Sequence, residues 1–157
     1  MPQLRTSAPF DAPADLVLSI IADVEAYSEF MPGIASSRTV EVLDMDDDGT
    51  PLEYEVEVAI GLSIFNGKLA ARVERDTNAG TLAVSLIRGP VRRAECRVEV
   101  KASGANSSDA IWDIDYETPS SVIDKLIGLY QDPAFHRVVA AFQDRAQWAV
   151  RQQTGVR

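Results

Sequence analysis

Pro119–Arg151 reads PSSVIDKLIGLYQDPAFHRVVAAFQDRAQWAVR, and its periodicity decides the fold. Ile123, Leu126, Ile127 and Tyr130 recur at helical spacing. Past Asp132-Pro133 the pattern resumes with Phe135, Val138, Val139, Phe142, Ala146 and Ala149. These positions share one stripe of an α-helix, with Asp124, Lys125, Arg137, Gln143, Asp144 and Arg145 largely off it. From Pro133 to Gln152 alone such a helix runs about 30 Å, the width of a small domain. Nearly everything before it reads as strand. A long apolar-striped helix after a large sheet predicts a sheet curled around that helix.

Working outward, the residues before the helix alternate with a period of two. Trp112, Ile114 and Tyr116 stand against Asp113, Asp115 and Glu117, and Ala94, Cys96, Val98 and Val100 against Arg93, Glu95, Arg97, Glu99 and Lys101. Leu52, Tyr54, Val56, Val58 and Ile60 alternate with Glu53, Glu55 and Glu57, which is a strand with one dry and one wet face. Phe65–Arg75, Thr81–Ile87 and Thr39–Leu43 complete the strands that follow the first helices, with turns at Asp46–Pro51, Asn78–Gly80, Gly89-Pro90 and Gly104–Ser108. Gln3–Phe10 is a first strand. Asp11-Ala-Pro13 starts a helix striped by Leu16, Val17, Ile20, Ile21 and Val24, and Ala26–Met31 forms a second short one. The order β-α-α-β-β-β-β-β-β-α, joined by short turns, predicts an antiparallel meander of about seven strands in one α+β domain, residues 1–157.

Composition narrows the function. The chain has 157 residues, 46% hydrophobic and 25% charged, an ordinary globular balance. A net charge of −9 argues against DNA and general nucleic-acid binding, which need clustered Lys and Arg. One cysteine, Cys96, and one histidine, His136, exclude an internal disulfide and a His/Cys zinc cluster, and point to a reducing compartment. No apolar run approaches the roughly 20 residues that span a bilayer, since Ser19 interrupts Leu16–Ala22, and no signal or transit segment precedes the first strand. The expected location is cytoplasmic, with room for peripheral contact at the inner membrane.

The chemistry-bearing residues are sparse. Asp113, Asp115 and Glu117 fall on the face away from Trp112, where carboxylates keep ordinary acidity and make poor general acids. His136 lacks a nucleophile or metal partner. Cys96 reads as a small core residue. Asp44–Glu55 matches the spacing D-x-D-x-D-G-x5-E of a calcium loop, but its flanks alternate as strands and Pro51 interrupts it, so an acidic hairpin turn is expected. Arg88, Arg92, Arg93 and Arg97 form a basic cluster, read as a solvated strand end balanced by Glu95 and Glu99. Asn106-Ser-Ser108 fits a sequon that a cytoplasmic chain would not use. No catalytic residue, metal ligand or bound cofactor is expected, and the chain reads as a non-enzyme.

Four stretches carry a family resemblance. Asp23-Val-Glu-Ala-Tyr27-Ser-Glu-Phe30-Met31-Pro32 is similar to a D-V-x-x-Y-x-x-F-L-P signature. Ile114-Asp-Tyr-Glu117 runs into Ser120–Leu129. Val138-Val-Ala-Ala-Phe142-Gln-Asp-Arg-Ala146 is similar to V-x-A-F-x-x-R-A, and Arg88-Gly89-Pro90 stands where G-P-F is usual. In order and extent these resemble the coenzyme Q-binding proteins of the polyketide cyclase/dehydrase-like branch of the START-like, helix-grip superfamily. The sequence departs from that pattern at Val91, Val98 and Val100, where aromatics are common, and places Trp112 on the neighbouring strand.

The resemblance implies a curved antiparallel sheet gripping the C-terminal helix around an apolar cavity, with a ubiquinone-like lipid as ligand and a role in respiratory electron transport or quinone biosynthesis. It implies Ile60, Leu69, Leu86, Trp112, Val139 and Phe142 as wall residues, with Phe30 and Met31 gating the mouth. Tyr54, Tyr116 and Tyr130 are the hydroxyls available to a quinone head group. The implied partners are the hydrophobic ligand and a transient membrane or membrane-enzyme contact. Two alternatives from other classes are a toxin-like module that docks on the ribosome and a cyclase- or dehydrase-like enzyme, which would need convergent ionisable groups on the inner face.

Overall fold

The computed structural model describes residues 3–61, 66–89, 91–117 and 121–153, and the side chains of 5–61, 67–89, 91–117 and 136–153. Sequence expectations that rest on Phe65, Pro90 or the side chains of Ile123, Leu126, Ile127, Tyr130 and Phe135 lie outside the described residues.

Strand β1 (Gln3–Phe10) leads to helix α1 (Ala14–Ala22), then a 3₁₀ segment (Val24–Glu29). Six strands follow: β2 (Ile34–Met45), β3 (Pro51–Gly61), β4 (Asn66–Asp76), β5 (Thr81–Arg88), β6 (Arg93–Gly104) and β7 (Ser107–Glu117). Helix α2 (Ser121–Gln153) closes the order and continues through Pro133. All strands pair antiparallel in one sheet, β1-β7-β6-β5-β4-β3-β2. This is the helix-grip arrangement expected from the alternating strands and the striped helix.

Local chemistry explains the joints. Pro13 is extended and precedes α1, whose Val17, Leu18, Ile21 and Ala22 are buried. Gly80 turns β4 into β5 at φ 70, and a Cβ there would meet the Val100 carbonyl oxygen at 2.8 Å. The buried Ser108 hydroxyl donates to the Ala12 carbonyl at 2.9 Å, tying the start of α1 to β7 and giving Asn106–Ser108 a structural role.

Two expectations are corrected. The second short helix, expected over Ala26–Met31, is a 3₁₀ segment over Val24–Glu29 and stops before Phe30. The strand expected over Thr39–Leu43 runs from Ile34 to Met45, because polar Ser36, Ser37 and Arg38 and register shifts at 34/36, 39/41 and 42/44 break its alternation. Asp44–Glu55 forms a β2–β3 hairpin, with Gly49 at φ 82 and the Asp46 carboxylate accepting from Asp48 N and Thr50 N, each at 2.9 Å. Among the described residues no group of three or more His, Cys, Asp or Glu side chains is arranged to hold a metal.

The core fills the concave face of the sheet. Phe142 and Ala146 of α2 are buried against it, and α2 is pinned to the β1 end by Gln143 Nε2 donating to the Pro9 carbonyl at 2.8 Å. No helix among the described residues is long and apolar enough to cross a membrane.

Candidate functional site: an apolar cavity under the long helix

Between the concave sheet face and α2 lies a cavity of about 310 Å³. That is the small end of the range for ligand pockets. Its floor comes from β3 and β4 through Val56, Val58, Ile60, Leu69, Ala71 and Val73. Strands β5 to β7 add Leu82, Val84, Cys96, Val98, Trp112 and Ile114. These are the inward positions of the period-two pattern, which is why one face supplies an unbroken apolar wall. The roof is Val138 and Phe142 of α2, with Ile21, Val24, Tyr27 and Met31 from α1, the 3₁₀ segment and its exit.

An aromatic group holds the roof together. Phe142 stacks on Trp112 at 6.1 Å and 22°, and meets Tyr27 and Phe30 edge-on at 5.4 Å and 5.9 Å. Trp112 also contacts Phe10 of β1. Each such pair contributes about 0.5–1.5 kcal/mol beyond its buried area, so Phe142 is the point where helix, sheet and 3₁₀ segment are joined.

Of the residues expected at the site, Met31, Ile60, Leu69, Trp112 and Phe142 line this cavity, and four others do not. Leu86 and Tyr116 are one inward position further along their strands than Val84 and Ile114, which do line it. Val139 is turned about 100° from Val138, the residue that faces the void with Phe142 one helical turn on. Phe30 stands outside the wall, packed between Tyr27 and Phe142 on one side and the Arg145 guanidinium on the other, 5.0 Å from its ring centre. Arg145 in turn bonds the Glu29 carboxylate at 2.9 Å and lies 4.2 Å over the Trp148 ring. Phe30 and Trp148 share a shallow outer groove with Ala140, Ala141 and Asp144. Thus Phe30 separates that groove from the cavity.

Polar groups in the wall are few. The Tyr27 hydroxyl donates to the Ile21 carbonyl, and the Tyr54 hydroxyl, just behind the wall, donates to the Ala22 carbonyl. Burial pushes the Tyr54 phenol up to about 12. Burial first, then the neighbouring Tyr54 and Cys96, raises Tyr27 above the ordinary phenol range. Burial likewise pushes the Cys96 thiol up to about 12. At neutral pH all three keep their protons and act as hydrogen-bond donors, not as bases or nucleophiles. Tyr27 and Cys96 could have been found from sequence by continuing the inward pattern of β6 and the face of the 3₁₀ segment.

The remaining candidates sit elsewhere. His136 is exposed on α2. Asp113 is exposed on the convex face and Asp115 is bonded to Arg93 at 3.2 Å. Arg88 pairs with Glu57 at 3.7 Å and Arg93 also with Glu95 at 3.6 Å, so this part of the basic cluster is internally neutralised.

A curled seven-stranded sheet, a long helix across it and an apolar void between them define the class. The chain belongs to the polyketide cyclase/dehydrase and lipid transport family, whose pattern it matches over residues 10–143. It is similar to the persistence and stress-resistance toxin PasT of Escherichia coli O6:H1, with 22% identity over 147 residues that cover 94% of this chain and 88% of the toxin. Among solved structures it resembles a START superfamily protein of Mycobacterium smegmatis, with 20% identity, TM-score 0.73, and 94% and 98% of the two chains covered. It also resembles the ZhuI aromatase/cyclase of Streptomyces sp. R1128, with 16% identity, TM-score 0.77, and 96% of each chain covered. These likenesses establish the START-like helix-grip fold.

They also correct one expectation. The chain was expected to be a non-enzyme because its inner face has almost no ionisable groups. Its family takes in cyclases and dehydrases alongside lipid transporters, and an aromatase/cyclase shares its fold, so enzymatic activity belongs within its range.

Proposed function

We propose that this protein binds an elongated, mostly apolar molecule in the cavity between its sheet and α2, and that the ligand class is a polyprenyl quinone or a similar isoprenoid lipid. The observation that carries the reading is a void whose described walls are apolar apart from Tyr27 and Cys96. Such a wall rewards desolvation: each CH₂ of a tail removed from water is worth roughly 0.8 kcal/mol, without any specific donor. A quinone head group needs only one or two donors: the protonated Cys96 thiol lines the void, and the Tyr27 hydroxyl serves once it exchanges the Ile21 carbonyl for the ligand. A ligand of this kind comes from a bilayer, so loading and delivery involve transient contact with a membrane or a membrane enzyme, in support of electron transport or quinone synthesis. Phe30, held by Arg145 and Glu29, is the door through which it passes.

A second reading is favoured by the family itself, which includes cyclases and dehydrases. In that case the neutral Tyr27 phenol turns from the Ile21 carbonyl to polarise a carbonyl of a bound polyketide-like chain, and the cavity's shape selects the fold of that chain before ring closure or loss of water.

Native mass spectrometry with extraction of the bound small molecules tests both readings. A stoichiometric polyprenyl quinone that is displaced in Val58→Trp, where the void is filled, supports the first. A bound aromatic or polyketide-like product supports the second. A folded, empty protein that takes up neither class when offered it overturns both.

A further inference from the structure

The outer edge of β2 divides into two parts. Up to Thr39 it is capped by the 3₁₀ segment: Ser28 N donates to Ser37 Oγ at 3.1 Å, Ser37 Oγ to the Glu25 carbonyl at 3.0 Å, and Thr39 N to the Glu25 carboxylate at 3.3 Å. Beyond Thr39 no described strand pairs with the edge, because β2 is the terminal strand of the sheet. Val40–Met45 also carries four of the six exposed large apolar side chains among the described residues: Val40, Val42, Leu43 and Met45, each 40–53% exposed. Val40 and Leu43 are the extra residues at two bulges and have no partner on β3. An open edge with bare apolar side chains is a template for another strand.

The charge around this edge indicates what fits it. Residues 39–67 contain no Lys or Arg. Glu53, Glu55 and Glu57 are engaged by Arg72, Arg38 and Arg88. Glu41, Asp44, Asp46, Asp47 and Asp48 form no ion pair among the described residues. Glu41 and Asp44 stand on the same face, opposite Glu55 and Glu53 of β3. A second copy would bring its own Glu41 and Asp44 to this edge, and an anionic bilayer or nucleic acid would meet the same repulsion.

We propose that Val40–Met45 is a docking edge for an extended segment of another protein in which cationic and apolar residues alternate, added to the sheet as an eighth strand. The backbone groups of the edge supply the ladder, Val40, Val42 and Leu43 take the apolar side chains, and Glu41 and Asp44 receive the cations.

The test titrates the full chain with three acetylated, amidated eight-residue peptides, of alternating Lys/Val, Glu/Val and Lys/Ser, while backbone amide NMR shifts are followed. The Lys/Val peptide is expected to perturb the amides of Val40–Met45 and to bind at least tenfold more tightly than the other two. Glu41→Lys with Asp44→Lys, two exposed changes that leave the core untouched, should transfer the preference to Glu/Val. Equal binding of Lys/Val and Lys/Ser, shifts centred elsewhere, no binding, or an unchanged preference in the double variant would overturn the proposal. A concentration-dependent dimer that protects Val40–Met45 would assign the edge to a second copy and overturn it equally.

Discussion

The cavity wall and the free end of β2 are both apolar surfaces of one sheet, and they have opposite fates. Val56 and Val58 of β3 face inward beneath α2, whereas Val40 and Leu43, on the adjoining strand, face water. Side-chain chemistry does not separate the two groups. Backbone geometry does: regular pairing keeps β3 in register with β4, so every second residue is delivered to the concave face. Bulges in β2 turn single residues out of that pattern. Burial here is decided by register, and hydrophobicity alone does not predict it.

The sharpest way to break the comparison is Phe142→Ala. Losing the ring that joins Trp112, Tyr27 and Phe30 should cost about 3–5 kcal/mol, read by urea unfolding. The same truncation at Met45 should be nearly silent.

Alkali should attack the cavity side alone. Cys96 and Tyr54 ordinarily ionise near 9 and 10 and are raised to about 12 by burial. Above pH 9 the unfolded chain therefore releases protons that the native state retains, and stability falls as pH rises toward 12. The loss is on the order of 4 kcal/mol from Cys96 and about 3 kcal/mol from Tyr54, at about 1.4 kcal/mol per unit of differential pKa. It is read as the unfolding midpoint against pH, and Cys96→Ala should remove the part that begins at pH 9.

Tyr54→Phe keeps the ring and leaves the Ala22 carbonyl without its donor. The expected loss is about 1–3 kcal/mol, with a Tyr54-dependent share of the alkaline effect disappearing too. Arg145→Ala frees Phe30 at a cost of about 0–1 kcal/mol, and should accelerate uptake of a fluorescent apolar probe more than it changes affinity. Smallest of all, Val40→Ser and Leu43→Ser should shift stability by no more than about 0.5 kcal/mol. A large loss at either position would mean that the edge is already covered in the folded protein.

Much of this was legible before any coordinates. Period-two alternation in Leu52–Ile60 and Ala94–Val100 placed the wall, and the stripe through Phe142 and Ala146 placed the helix. The rest was hidden for physical reasons. Val138 and Val139 are both apolar, and only the rotation of α2 about its axis decides which faces the void. Leu86 and Tyr116 obey the same alternation as their lining neighbours, and only the extent of the cavity along the strands excludes them. Phe30 matched the family signature, yet its place outside the wall depends on Arg145, distant in sequence and adjacent in space. The bulges of β2 leave no sequence mark beyond a broken alternation, which reads as a shorter strand. The non-enzyme expectation was drawn from scarce ionisable groups, which limits the chemistry a cavity performs without excluding it.

The strand order has a consequence for how the chain is made. β1 and β2, consecutive strands in sequence, stand at opposite edges of the sheet, and β1 pairs with β7, Leu4 against Ile114. β1 leaves the ribosome well before β7 and must wait for it before it finds its partner. Contacts so distant along the chain are slow to close, and until they do the half-made sheet presents its apolar face to the cell. The vulnerable interval during synthesis therefore lasts at least through translation of the meander and of α2, which follows β7 and covers the concave face.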